Sequence, residues 1–202
     1  LGALLFGIPA MAAVMLLGWQ GKRARLWLVG LGLGGVISLL PLSRLIPRLR
    51  TALEGNNSTL FRLNVWRSTI ELLKDHPING VGPDQFLYIY RSRYIVPEGS
   101  ADPDLSHPHN FILDYWVFLG IMGVVIGLWL QVAFWRTLWS TYRRVRDTDP
   151  ILFALILGTM GMMGNFIGHG LVDVSFFFIN LSFLFSLVVA ILIRTHQFAS
   201  ND

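Results

Sequence analysis

The sequence predicts an all-α, polytopic integral membrane protein of about five transmembrane helices, with one large external loop that contains amphipathic helices. Three observations carry this. Hydrophobic residues make up 53% of the 202-residue chain and charged residues only 14%, against about 25% charged in an ordinary soluble domain. Mean hydropathy is +0.56. The apolar residues gather in five runs, 1–19, 26–42, 111–135, 151–167 and 174–193, each near the ~20 residues a helix needs to cross a bilayer. Helix is required in each, because an open strand leaves its backbone unsatisfied in hydrocarbon.

Run 1–19 is apolar but starts without methionine and lacks a basic leader, so it is expected to be a helix from inside a larger protein, the chain being its C-terminal part. A short connection with Lys22, Arg23 and Arg25 leads to run 26–42. A second basic connection, with Arg136, Arg143, Arg144 and Arg146, joins runs 111–135 and 151–167. The positive-inside bias puts both in the cytoplasm. Segment 44–107 and the turn around His169 are then external, and Arg194 onward is cytoplasmic. The expected organisation is two transmembrane helices over 1–43, an external (periplasmic) catalytic loop over 44–108, and three transmembrane helices with a cytoplasmic tail over 109–202.

Within the loop, Leu60, Leu63, Trp66 or Arg67, Ile70 and Leu73 recur at three- and four-residue spacing, the mark of an amphipathic helix. Ser58 or Thr59 is placed to cap it and Pro77 to stop it, and its stripe suits the membrane surface. Gly80-Val81-Gly82-Pro83 is a turn, since the proline and the missing strand count against a phosphate loop. A shorter helix is expected over 85–94, and irregular loop beyond it.

The formal charge of +4 does not indicate nucleic acid, because the basic residues flank spans, where orientation and anionic lipid account for them. Membrane lipid is the expected partner. Cysteine is absent, which excludes disulfides and thiolate metal sites. Two histidines separated by one proline, with dispersed carboxylates, lack metal-ligand spacing. The sequons within Asn56-Asn57-Ser58-Thr59 arise easily by chance.

Chemistry is expected at Ser106-His107-Pro108-His109-Asn110, where the loop meets run 111–135. An imidazole titrates near pH 6.5 and accepts a proton from a hydroxyl. His109 is therefore either a general base or a helix cap shared with Asn110; His107 offers the same chemistry, and spacing does not choose between them. Arg62 lies one turn before Trp66 on the same helix face. It is either an arginine snorkelling to headgroups or a fork that grips phosphate. The seven arginines against one lysine in segment 44–107 favour anion recognition. Arg91 and Arg93, among Tyr88, Tyr90 and Tyr94, form a second candidate group. Asp114 lies one turn inside its span, and Asp173 sits with His169 in the tight outer connection between the last two runs; charged groups at membrane depth are often functional, and near the interface a helix-capping role is favoured for Asp173 over a catalytic one.

The succession Arg62-x-x-x-Trp66, Asp75-His76-Pro77-Ile78-Asn79-Gly80-Val81-Gly82-Pro83, His109-Asn110-Phe111-Ile112-Leu113 and Leu119-Gly120-Ile121-Met122-Gly123 resembles the O-antigen ligase and polymerase superfamily of bacterial envelope enzymes, over about 57–173. The resemblance implies an inner-membrane glycosyltransferase that passes a glycan from an undecaprenyl-pyrophosphate carrier to the hydroxyl of a glycolipid, glycan or protein. It implies no cofactor, metal or nucleotide sugar. His109 matches the family's general base and Arg62 its pyrophosphate-binding loop arginine; Trp66, Asn110, Arg91 and Arg93 are the accompanying substrate-binding candidates. The superfamily's ligases, polymerases and protein oligosaccharyltransferases share these motifs. A small-anion, bicarbonate-type transporter is the alternative from another class, and a non-catalytic envelope scaffold a third. Transport predicts ionisable groups deep in several spans, and the sequence offers mainly Asp114.

Overall fold

A computed structural model describes residues 6–20, 23, 26, 28, 30, 58–97, 103–174 and 177–201. Among these the regular structure is helical throughout, as the apolar runs require. Helix α1 is Ile8–Gln20, α2 is Ser58–Asp75, α3 is Phe86–Ile89 with a π-helical turn Tyr90–Tyr94 continuing it, α4 is Phe111–Val145, α5 is Pro150–Gly170 and α6 is Ile179–Asn201. Three helices are long and apolar enough to cross a membrane: Phe111–Val145, Pro150–Gly170 and Ile179–Ser200. They correspond to the last three predicted runs. The described part of the first run is a shorter apolar helix, Ile8–Trp19. Run 26–42, apart from 26, 28 and 30, lies outside the described residues, as do Lys22, Arg25, Asn56 and Asn57.

The long helices pack around a core of Phe134, Leu138, Tyr142, Val145, Ile156, Met160, Met163, Val188 and Leu192. Their outward faces stay apolar: Met122, Val125, Ile126, Leu128, Trp129, Leu155, Phe183 and Leu187 are all exposed, as lipid contact demands. Helix α1 runs antiparallel to α5 along glycines. A side chain at Gly161, Gly164 or Gly168 would strike Met15, Val14 or Ala10 of α1, or Phe6 just before it, so small residues set the close approach, as between membrane helices generally. The Tyr142 hydroxyl donates to the Gly18 carbonyl at 2.7 Å. This ties the C-terminal end of α1 to the arginine-bearing end of α4, so Arg23 and the Arg143, Arg144 and Arg146 cluster share one end of the bundle. The turn between α4 and α5 is closed by Asp149, whose carboxylate accepts from the Ile151 and Leu152 amides at 2.8 and 2.9 Å ahead of Pro150 at the first helical turn.

The segment between α1 and α4 builds, with the first turns of α4, a second core: Val65, Leu72, Leu73, Phe86, Tyr90, Leu105, Val117 and Phe118. Helix α2 ends at Asp75, before Pro77 as predicted. Its apolar stripe divides. Leu60, Leu63 and Ile70 face outward, Trp66 is half-buried, and Leu73 is buried with Val65, Ser68, Thr69 and Leu72. The helix therefore has a packed face turned to α3 and α4 and an open apolar face beside it.

Helix α4 is not continuous. Gly120 has φ 70° and ψ −168°, a region that only glycine occupies without strain. In an unbroken helix the Ile121 amide would donate to the Val117 carbonyl. Here it donates to Ile78 at 3.0 Å, while Val117 accepts from the Val81 amide at 2.7 Å. The Pro77 carbonyl accepts from Trp116 Nε1 at 2.7 Å. The Ile121 amide and the Val117 carbonyl, unpaired with each other at the break, are thus both satisfied by the Ile78–Val81 backbone, as irregular backbone beside a membrane span requires. Gly80, at φ 61°, lies so close to the Trp116 and Val117 carbonyls that a Cβ does not fit.

Candidate active site

The first turn of α4, the middle of α2 and the connection after α5 meet at the end of the bundle opposite the arginine cluster. Asn110, extended at φ −157°, caps α4: its Oδ1 accepts from the Ile112 and Leu113 amides at 3.0 and 3.2 Å. Its Nδ2 donates to the Leu171 carbonyl at 2.9 Å, which draws the α5–α6 connection toward the start of α4. The capping duty thus falls on Asn110, and the His109 imidazole is released for other contacts. His109 itself sits at φ 56°, a left-handed conformation that costs a non-glycine residue of order 1–3 kcal/mol and gathers at functional sites.

His109 Nδ1 lies 3.0 Å from Asp173 Oδ1. Asp173 Oδ1 also accepts the Val174 amide at 2.9 Å. Burial pushes the Asp173 carboxyl up, but the hydrogen bonds from His109 and Val174 and the charges of His109 and His169 outweigh it and bring it down to about 2. Asp173 is therefore a carboxylate at neutral pH and can only accept. That assigns the hydrogen to His109 Nδ1 and leaves the Nε2 lone pair to take a proton. The sequence favoured a helix cap over a catalytic role for Asp173; in the structure its carboxylate is the group on which the cluster converges.

Two further histidines and Arg62 surround the same carboxylate. His107 Nε2 is 4.0 Å from Oδ1, while His169 Nε2 is 3.9 Å and an Arg62 guanidinium nitrogen 3.8 Å from Oδ2. Arg62 Nε donates to the Val172 carbonyl at 2.7 Å. Trp66, one turn on, donates from Nε1 to the Pro108 carbonyl at 3.0 Å. The shared face of α2 thus holds both segments of the site, the His107-Pro108-His109 stretch and the Val172-Asp173 connection. The two histidine rings stand edge to face, 4.3 Å apart, walled by Phe61 and Phe178. Burial, together with the neighbouring His109 and against the pull of Asp173, lowers His107 to about 4, so it is neutral where His109 would work. That separates two histidines the sequence left equivalent: one has a carboxylate partner at hydrogen-bond distance and the other does not.

Of the other predicted residues, Arg91 is paired with Asp104 at 2.8 Å in an exposed ion pair, and Arg93 is exposed on the π-turn. Among the described residues neither bonds to the histidine cluster. Asp114 is fully buried in the first turn of α4, and neither carboxylate oxygen is hydrogen-bonded among the described residues. The sequence put His169 and Asp173 together in one outer turn but did not show that Asp173 joins His109 and Arg62. The signal was the topology, which already put their turn on the same side as His109.

No curated protein matches this sequence. A family model described as O-antigen ligase matches residues 2–128, a stretch that includes α1, α2, the Pro77–Val81 turn, His109 and the break at Gly120, and that ends before Asp173. Those residues are more than half of the chain and carry the motifs seen in the site, so the protein belongs to the O-antigen ligase family, whose activity is glycosyl transfer of the ligase or polymerase type.

Proposed function

We propose that this protein transfers a glycan from a polyprenyl-pyrophosphate carrier to an acceptor hydroxyl, with His109 as general base and Arg62 at the pyrophosphate. The observation that carries the reading is the carboxylate shared by both, with His109 3.0 Å from one oxygen of Asp173 and Arg62 3.8 Å from the other. Base and guanidinium are thereby held side by side, where attack and departure on one anomeric carbon take place.

In this scheme the acceptor oxygen forms the new bond to the anomeric carbon as its proton passes to His109 Nε2. The bond to the pyrophosphate oxygen breaks, and the electron pair leaves with the phosphate. Attack opposite the leaving group inverts the centre. Asp173 keeps the imidazole in the working tautomer and stabilises the imidazolium that forms. A guanidinium donates two parallel hydrogen bonds to phosphate and offsets the charge that grows on it, the task a divalent cation has in other transferases, so the reaction is expected to proceed in chelator. Trp66 and Asn110 act by holding the loop. Arg91 and Arg93, exposed and without a bond to the histidine cluster among the described residues, would meet headgroup or glycan rather than the reacting bond. In the membrane, the 44–108 segment with the site faces the periplasm and the arginine end faces the cytoplasm, as the positive-inside bias directs. The acceptor is a glycolipid in a ligase, a growing glycan in a polymerase, or a protein in an oligosaccharyltransferase.

The test is transfer by the intact protein from purified lipid-linked glycan in the presence of chelator. His109→Ala is expected to lower kcat by about 10²–10⁴-fold, the usual worth of a positioned base, with the protein still folded. Unchanged turnover would remove His109 from the chemistry.

A further inference from the structure

His107, His109 and Asp173 each present one ligand atom, and the three atoms lie within 4.8 Å of one another. Sequence spacing hid this set, because its third member is 64 residues from His109. Two of the separations are already close to those of a coordination shell: His109 Nδ1 is 3.0 Å and His107 Nε2 4.0 Å from the same Asp173 oxygen. A zinc ion with bonds of about 2.0–2.2 Å holds tetrahedral ligands roughly 3.4 Å apart, so shifts of about an ångström complete the arrangement.

A second observation points the same way. His107 Nε2 is a buried atom with no hydrogen-bond partner among the described residues, and such atoms are uncommon and call for an explanation. Its other ring nitrogen is 3.0 Å from Ser106 Oγ. A Nδ1–H donated to that hydroxyl fixes the ring and leaves the Nε2 lone pair directed toward the Asp173 carboxylate, the outer-shell pattern of metal-bound histidines. Asp173 is itself oriented by its hydrogen bond from Val174, and its other oxygen lies nearest Arg62 and His169. Side-chain exposure of 30% at Asp173 and 19% at His109 leaves an approach from solvent.

We propose that His107, His109 and Asp173 form a binding site for a borderline divalent cation of the zinc type, and that its occupation silences the transferase. Two imidazoles and one carboxylate suit Zn2+ or Co2+ and not Mg2+ or Ca2+, which favour all-oxygen shells. On binding, the cation takes the Nδ1 lone pair of His109 and the ring hydrogen passes to Nε2 through solvent, so the nitrogen that would serve as base now carries a hydrogen and has no lone pair to accept another. The Arg62 guanidinium opposes the cation's charge from the far side of Asp173, which fits a reversible inhibitory site better than a permanently filled one. The silencing half rests on His109 being the base; the binding half does not.

The experiment uses the intact protein in detergent, stripped with chelator and exchanged into chelator-free buffer. Zn2+ binding is read by competition with a chromophoric chelator, and the ligand set by the visible absorption of bound Co2+. Wild type is expected to bind one Zn2+ per chain with a Zn2+-dependent rise in Tm. His107→Ala is expected to weaken binding at least about tenfold and abolish the rise, while His76→Ala, on an exposed residue outside the site, changes neither. Equal affinity in wild type and His107→Ala overturns the site. If His107→Ala shows no cooperative melt of its own, His107→Gln is compared in its place on the same criterion. Glycan transfer separates the two halves: added Zn2+ should stop it in wild type and spare His107→Ala. Zn2+ that binds through His107 yet leaves transfer undiminished overturns the silencing and counts against His109 as base, while the cation site stands.

Discussion

Asp173 is approached by four side chains: His109 at 3.0 Å, Arg62 at 3.8 Å, His169 at 3.9 Å and His107 at 4.0 Å. Replacing its carboxylate by an amide keeps the shape but lets the side chain donate to Nδ1, which reverses the tautomer of His109. Asp173→Asn is therefore expected to lower kcat about 10²-fold or more with KM little changed, as in other His–Asp pairs, and Asp173→Glu to recover part of it. The buried His107 gives a second prediction. Its folded-state value of about 4 is below the usual 6.5, so between those pH values the unfolded chain binds a proton that the folded chain does not. Stability must then fall as pH drops from about 6.5 toward 4, by about 1–3 kcal/mol, and His107→Gln should flatten that slope in melts run with chelator. The sequence carried half of this site. His109, Arg62, Trp66 and Asn110 were legible because each stands in a local motif; the pairing of Asp173 with His109 was not, because a contact across 64 residues leaves no mark on local spacing.

At the scale of elements, α2 and α4 teach different lessons. The periodicity of α2 identified a helix but not its packed side, because apolar residues occupy both the face against α3 and α4 and the face left open; only burial separates Val65 and Leu72 from Leu60, Leu63 and Ile70. The long apolar run of α4 gave no warning of its break. Gly120, Gly123 and Gly127 are alike in sequence, and Gly120 alone among them has a positive φ. Gly120→Ala must therefore place a Cβ against the Ile78 carbonyl at a φ that side chains resist, and is expected to cost about 3 kcal/mol or more. Gly158, with open space around its Cα, serves as the control, Gly158→Ala being neutral or slightly stabilising in a helix. Thermal melts of the two variants in one detergent make the comparison.

Across the whole molecule, the helices sort the chain into an arginine-bearing end and a histidine-bearing end. The Tyr142–Gly18 hydrogen bond joins α1 to the first, and the Asn110–Leu171 hydrogen bond closes the second. Hydropathy made this polarity legible, since three of the five apolar runs emerge as helices of spanning length, and the alternation of basic and non-basic turns supplied the rest. The absence of native cysteine allows a direct check. Asp104→Cys should react with a membrane-impermeant maleimide at the outer face of the inner membrane, and Asp147→Cys only once that membrane is opened; the reverse order would invert the orientation.

The exchange of hydrogen bonds at Gly120 also makes one cooperative unit out of two parts that differ in solvent. The Ile121 amide of the long helix is held by Ile78, and the Val81 amide of the turn is held by Val117, so neither can be exposed to water without opening the other segment. Hydrogen exchange at these two amides should accordingly be slow and share a single opening free energy, and the Pro77–Val81 turn should lose its order together with the start of the membrane helix rather than before it.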